Sequence, residues 1–161
     1  MYIRKATLED DFDMIASLYL QTWQATYRNI LPKSTLESLS IRNWNARLKK
    51  QYQGILLSFT DNNVLMGVIS LGPARKSEDS GYVEIYSIYV LPKYQAQHVG
   101  SNLIKTAINQ LKGNTNIVIY ALSQNTNATR FYTNQGFHLS KTFSESILGT
   151  QIRMNRFINN P

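Results

Sequence analysis

The sequence predicts an α/β (α+β) fold, a sandwich built around a mostly antiparallel sheet. Two observations carry this. Apolar residues alternate with period two in several short segments, and recur at helical spacing in others. The segments come in mixed order: a strand, then helices, then strands interrupted by two further helices. The 161 residues suit one domain with a sizeable core, and 43% of them are hydrophobic, as in a globular chain. A single domain spanning 1–161 is therefore expected.

Each element has a local reason. Tyr2 to Lys5 alternates like a short strand. Thr7-Leu8-Glu9-Asp10 has the form of a capping box, with Thr7 as N-cap of a helix whose face is Leu8, Phe12, Ile15, Tyr19 and Trp23. Pro32 opens a short helix, and Ile41 to Lys50 is another. Residues 54–60 and 64–71 flank Asp61-Asn62-Asn63, a hairpin turn. Pro73 to Gly81 reads as a polar loop. Tyr82 to Leu91 is a β-branched and aromatic strand that Pro92 ends. Val99, Leu103, Ala107, Ile108 and Leu111 form one face of a helix stopped by Gly113. Asn116 to Leu122 is nearly all apolar, as in a strand buried on both faces. Thr126 to Gln135 is a short helix stopped by Gly136. Residues 137–143 and 147–157 form a closing antiparallel pair.

Composition narrows the chemistry. The chain has no cysteine, which excludes disulfides, thiolate metal sites and a cysteine nucleophile. Its two histidines are forty positions apart without clustered carboxylates, so no metal is expected. No apolar run approaches the ~18 residues of a membrane span. The first residues, Met1 to Ala6, lack the apolar stretch of a signal peptide, so a cytoplasmic protein is expected. The net charge of +7 is uneven: residues 41–60 carry four basic side chains and no acid, and residues 93–161 carry seven against one. Such a field recruits anions, or merely keeps the chain soluble.

Two motifs carry the functional reading. Ile88-Tyr89-Val90-Leu91-Pro92 leads into Gln95-Ala96-Gln97-His98-Val99-Gly100-Ser101 and a helix. A turn of this kind presents backbone N–H groups and a helix dipole to an anion. No Walker loop and no G-x-G-x-x-G fingerprint is present. The second motif runs from Asn125 to Phe137, with Asn125, Ala128, Phe131, Tyr132, Gly136 and Phe137 in the order N-x-x-A-x-x-F-Y-x-x-x-G-F. Together these resemble the GNAT superfamily of N-acetyltransferases, whose fold has a central sheet of about seven strands flanked by about four helices. Thr22-Trp23 and Tyr27 to Pro32 are similar to a stretch found in many small bacterial members. The resemblance covers essentially the whole chain. It departs at the turn, where His98 and Ala96 stand at positions that are commonly glycine.

The resemblance implies an acyltransferase that moves an acetyl group from acetyl-CoA to a primary amine by direct attack in a ternary complex. It implies that residues 95–101 hold the pyrophosphate and that the backbone of Ile88, Tyr89 and Val90 pairs with the pantetheine arm. Tyr132 would serve the departing thiolate, and Asn125 and Ala128 would line the cofactor. Glu84 would draw the proton from the amine, commonly through water. Each residue also has a plainer reading. Tyr132 suits a core aromatic, Glu84 an ion pair, Asn125 an N-cap and His98 a surface turn. Trp23, Tyr27 and Trp44 wall either the acceptor site or the core. Two other classes stay open: a non-catalytic CoA-binding sensor, and a basic nucleic-acid-binding protein. Against the latter, no basic run is interleaved with aromatics, so no nucleic acid and no membrane is expected as partner. The acceptor amine is open, and a homodimer is compatible with the sequence.

Overall fold

The computed structural model describes residues 1–38, 40–111, 115–147 and 150–159. Four helices of nine or more residues, one helix of five and seven strands follow one another along these residues. The strands form a sheet in the order β1-β2-β3-β4-β5-β7-β6. β4 (Val83–Val90) and β5 (Ile117–Leu122) pair parallel, in a register that runs from Val83↔Ile117 to Ile85↔Ile119. The expected fold class is the one observed. The chain makes two compact units: Met1–Ser70 with Ser87–Gln110, and Leu71–Tyr86 with Leu111–Pro161.

In the first unit, β1 (Tyr2–Lys5) pairs antiparallel with β2 (Ile55–Phe59), and β2 pairs with β3 (Leu65–Pro73). Asn63 takes φ 61° in the turn between β2 and β3, a conformation that asparagine tolerates well. Helix α1 (Phe12–Tyr27) does not start where the capping box predicts. Asp11 is its N-cap and accepts from the N–H groups of Asp13 and Met14. Thr7 and Asp10 instead close a separate turn, with Thr7 N–H donating to Asp10 at 2.7 Å. Leu8 is consequently exposed, while Phe12, Ile15 and Tyr19 enter the core. Helices α2 (Lys33–Glu37) and α3 (Ile41–Lys50) lie where Pro32 and the periodicity of 41–50 place them.

Helix α4 (Val99–Gln110) buries Val99, Leu103, Ile104 and Ala107, so Ile104 joins the predicted stripe and Ile108 is only partly covered. Gly113, expected to stop this helix, lies outside the described residues. Gly67 allows α4 to sit close. A β-carbon there would meet the Tyr89 carbonyl at 3.0 Å, Val99 at 3.1 Å and Leu103 at 3.2 Å.

In the second unit, β5 is buried along most of its length, as its composition predicts. It pairs antiparallel with β7 (Thr150–Asn159), which pairs with β6 (His138–Ile147). The strand expected at 137–143 continues to Ile147, and the one expected at 147–157 lies two to three residues later, at Thr150–Asn159. Helix α5 (Thr126–Asn134) ends at Gly136, which takes φ 86°. Phe137 and Phe157 are buried at the centre of this unit.

Candidate active site

The first unit holds the turn. Ala96 and His98 both adopt left-handed backbone, with φ 58° and 60°. Their β-carbons make this costly, at about 1–2 kcal/mol each. Left-handed residues that alternate with right-handed ones are the kind of backbone from which anion nests are built. The α4 ladder begins with Asn102 N–H donating to the His98 carbonyl, so the N–H groups of Val99, Gly100 and Ser101 precede its first rung. Gln95 Nε2 donates to the Val90 carbonyl at 3.1 Å and ties the turn to the end of β4. Gln97 Nε2 donates to the Lys93 carbonyl at 2.9 Å. No acidic residue occurs between Glu84 and Glu145 in the sequence, so no neighbour in the chain there repels an anion.

The same unit contains polar groups that the sequence reading passed over. Ser70 and Ser87 oxygens share a hydrogen bond at 2.5 Å, and Ser87 shares another with Tyr19 at 2.7 Å. Burial pushes the Tyr19 phenol above its ordinary pKa, so it stays protonated. Trp23 Nε1 donates to the Tyr89 hydroxyl at 2.8 Å. A serine in an apolar strand needs a partner when buried, and that rule flags Ser70 and Ser87 from sequence. It does not say that the partner is Tyr19.

The second unit holds Glu84, Asn125, Ala128 and Tyr132. Glu84 is 1% exposed and gives both oxygens to one arginine. It accepts from Arg75 N–H at 2.9 Å, from Arg75 Nε at 3.1 Å and from Arg75 Nη2. The Arg75 guanidinium also lies over the Tyr86 ring at 4.7 Å. Asn125 is the N-cap of α5 and accepts from Ala128 N–H at 3.0 Å. Tyr132 is buried, with its ring against Phe157 at 5.5 Å and Phe137 at 6.3 Å.

The polar loop after β3 proves to be firmly anchored. Asp79 is fully buried and pairs with Arg156 and Tyr120. Burial alone would raise its pKa, but hydrogen bonds from Arg156 and Tyr120 and the Arg156 charge hold it below the usual carboxylate range. Lys76 pairs with Glu145 at 2.7 Å, and Glu78 pairs with Lys141. Among the described residues there is no cluster of three metal-binding side chains, and no helix is long and apolar enough to cross a membrane.

The sequence profile of the Acetyltransferase (GNAT) family matches residues 13–137. The uncharacterized N-acetyltransferase YuaI of Bacillus subtilis (strain 168) is 32% identical over 127 residues, 76% of this chain and 72% of its own. The crystal structure of the PaiA N-acetyltransferase of Thermoplasma acidophilum, in complex with coenzyme A, superposes with a TM-score of 0.77 over 99% of this chain and 98% of its own, at 23% identity. That of YncA of Salmonella typhimurium, a putative acetyltransferase with its cofactor acetyl-CoA, does so with 0.73 over 99% and 93%, at 21% identity. The profile match spans both motifs from which the resemblance was read, and with it the chain belongs to the Acetyltransferase (GNAT) family, a family of N-acetyltransferases.

Proposed function

We propose that this chain takes the acetyl group from acetyl-CoA and passes it to a primary amine by direct attack within a ternary complex. The observation that carries the reading is the left-handed backbone at Ala96 and His98, immediately before α4. Two residues with β-carbons keep the conformation that an anion nest requires. Left-handed backbone at both positions supports a pyrophosphate-binding turn there without glycine. CoA bound in the family's manner brings a pyrophosphate for those N–H groups and a thioester for transfer.

The remaining roles are those that the family resemblance implies. The backbone at Ile88, Tyr89 and Val90 pairs with the pantetheine arm, and an N–H there stabilises the charge that grows on the thioester oxygen. Tyr132 offers its O–H to the sulfur as charge develops there. Asn125 and Ala128 fix the first turn of α5, which carries Tyr132 one turn later. Glu84 takes the amine's proton only through water, because Arg75 engages both of its oxygens. The clamp on Arg75 is its first role.

The test has two parts. Acetyl-CoA at a hundred times its dissociation constant is expected to add about 2.7 kcal/mol of stability in a thermal shift. Thiol release is expected with at least one member of a broad amine panel. The absence of a shift at millimolar acetyl-CoA sinks the reading. A shift without turnover of any amine leaves a CoA-binding sensor.

A further inference from the structure

We infer that the acceptor is an amine that also carries a carboxylate, several bonds away, and that Arg47 on α3 receives that carboxylate. This rests on the acetyl-transfer reading above and names the class of its second substrate. Within the first unit, an unbroken run of aromatic contacts leads from β4 to this arginine. The Tyr89 ring meets Tyr19 at 4.7 Å, Tyr19 meets Trp44 at 5.0 Å, and the Arg47 guanidinium lies over Trp44 at 5.8 Å. Trp23 and Tyr27 join the same wall, with Trp23 to Trp44 at 6.0 Å and Trp23 to Tyr27 at 4.7 Å. Trp23, Tyr27, Trp44 and Tyr89 are each only partly buried. Tyr19 is fully buried and only holds Tyr89 and Trp44 in place; the partly exposed rings suit the carbon chain of a ligand, with a cation beyond Trp44.

Two observations point to an anion at that end. The Trp44 indole N–H is buried without an acceptor. A buried donor left unpaired is costly, and most find a partner. Arg47 lies over the face of the same ring at 5.8 Å, and the proposal has one carboxylate serve both the guanidinium and the N–H at the ring's edge. The second observation is the charge of α3. Arg42, Arg47, Lys49 and Lys50 are exposed, residues 41–60 contain no acid, and among the described residues none of the four makes an ion pair. The helix dipole accounts for cations in the last turn. Arg42, in the first turn, lines one hollow with Asp13 of α1, which accepts from Asn45 at 2.6 Å, so the uncompensated charge is that of Arg47, Lys49 and Lys50. Such a field attracts anionic acceptors and repels polycations such as polyamines.

Matched pairs test the inference: lysine against cadaverine, and a short peptide with a free C-terminal carboxylate against its C-terminal amide, with spermidine as the polycation. Binding is read from tryptophan fluorescence in the presence of CoA, since Trp23 and Trp44 are the only tryptophans and both lie in the wall. Turnover is read from thiol release. The carboxylated member of each pair is expected to bind and react at least tenfold better. Arg47→Met is expected to erase that preference and Arg47→Lys to restore part of it, with the acetyl-CoA thermal shift retained as a check on folding. Trp44→Phe, which keeps a ring and removes the N–H, is expected to weaken the preference severalfold. The inference is overturned if the decarboxylated or amidated members or spermidine do as well, or if Arg47→Met leaves the preference intact. Loss of the acetyl-CoA shift in the unmutated protein overturns the acetyl-transfer reading instead.

Discussion

Tyr132 combines two demands that sequence alone sets against each other. Its ring is core, packed with Phe137 and Phe157, and its place in the Phe-Tyr pair makes its hydroxyl the proposed proton donor. Tyr132→Phe keeps the ring and removes one O–H. We predict a fall in kcat of roughly a hundredfold with little change in acetyl-CoA affinity, because the interaction strengthens only as charge develops on sulfur. Turnover within about threefold of the parent removes Tyr132 from the mechanism. His98 is the second residue of interest. Glycine holds φ 60° without the steric penalty, so His98→Gly is predicted to tighten CoA binding by about 1 kcal/mol, measured by calorimetry. A fall in affinity would instead make the imidazole a phosphate ligand.

Among the elements, α4 depends most on a single absent side chain. Gly67 on β3 has ordinary backbone, so its glycine is needed for space and not for conformation. A methyl group there meets the Tyr89 carbonyl and two α4 side chains at 3.0–3.2 Å. Gly67→Ala is predicted to cost about 1–3 kcal/mol in denaturant unfolding, as overpacking does. It should also weaken CoA binding, since α4 carries the proposed nest. Helix α1 offers a simpler case. Asp11 receives two N–H groups, and Asp11→Ala is predicted to cost about 1 kcal/mol. Thr7→Ala leaves the helix cap untouched and is predicted to cost less.

Over the whole molecule, acid stability follows from two paired carboxylates, the partly buried Asp10 and the buried Asp79. Hydrogen bonds from Arg4, opposed by burial and supported by Thr7, hold Asp10 below its ordinary pKa, and Asp79 is likewise depressed. A depressed folded pKa contributes stability above the unfolded value of about 3.9, and that stability is lost as pH falls through the folded one. Unfolding free energy is therefore predicted to be level near neutrality and to drop below about pH 4. Arg156→Met leaves Asp79 buried without its cation, which typically costs about 3–5 kcal/mol. Equilibrium denaturation at pH 7 and pH 4 checks both statements. Without Arg156 the buried Asp79 is expected to take up a proton as pH falls, so the loss should shrink at pH 4. A variant loss that is the same at both values would place the effect in packing and not in charge.

The sequence by itself determined the order of strands and helices, the family and the residues of its two motifs. These depend on local patterns: the alternation in Tyr82 to Leu91, the glycine that ends α5, and the spacing from Asn125 to Phe137. A local pattern misplaced only what a neighbour could counterfeit, as when Thr7 and Asp10 formed a turn that resembles a helix cap. What the tertiary structure decided was pairing. The partner of Glu84 was open until the fold brought Arg75, nine residues away, onto both its oxygens. Asp79 looked like loop polarity until Arg156, 77 residues on, enclosed it. Ser70 and Ser87 found Tyr19, and Gly67 found α4, across similar separations. A side chain's partner is set by which distant backbones the fold brings together. Periodicity within one segment carries no record of that choice.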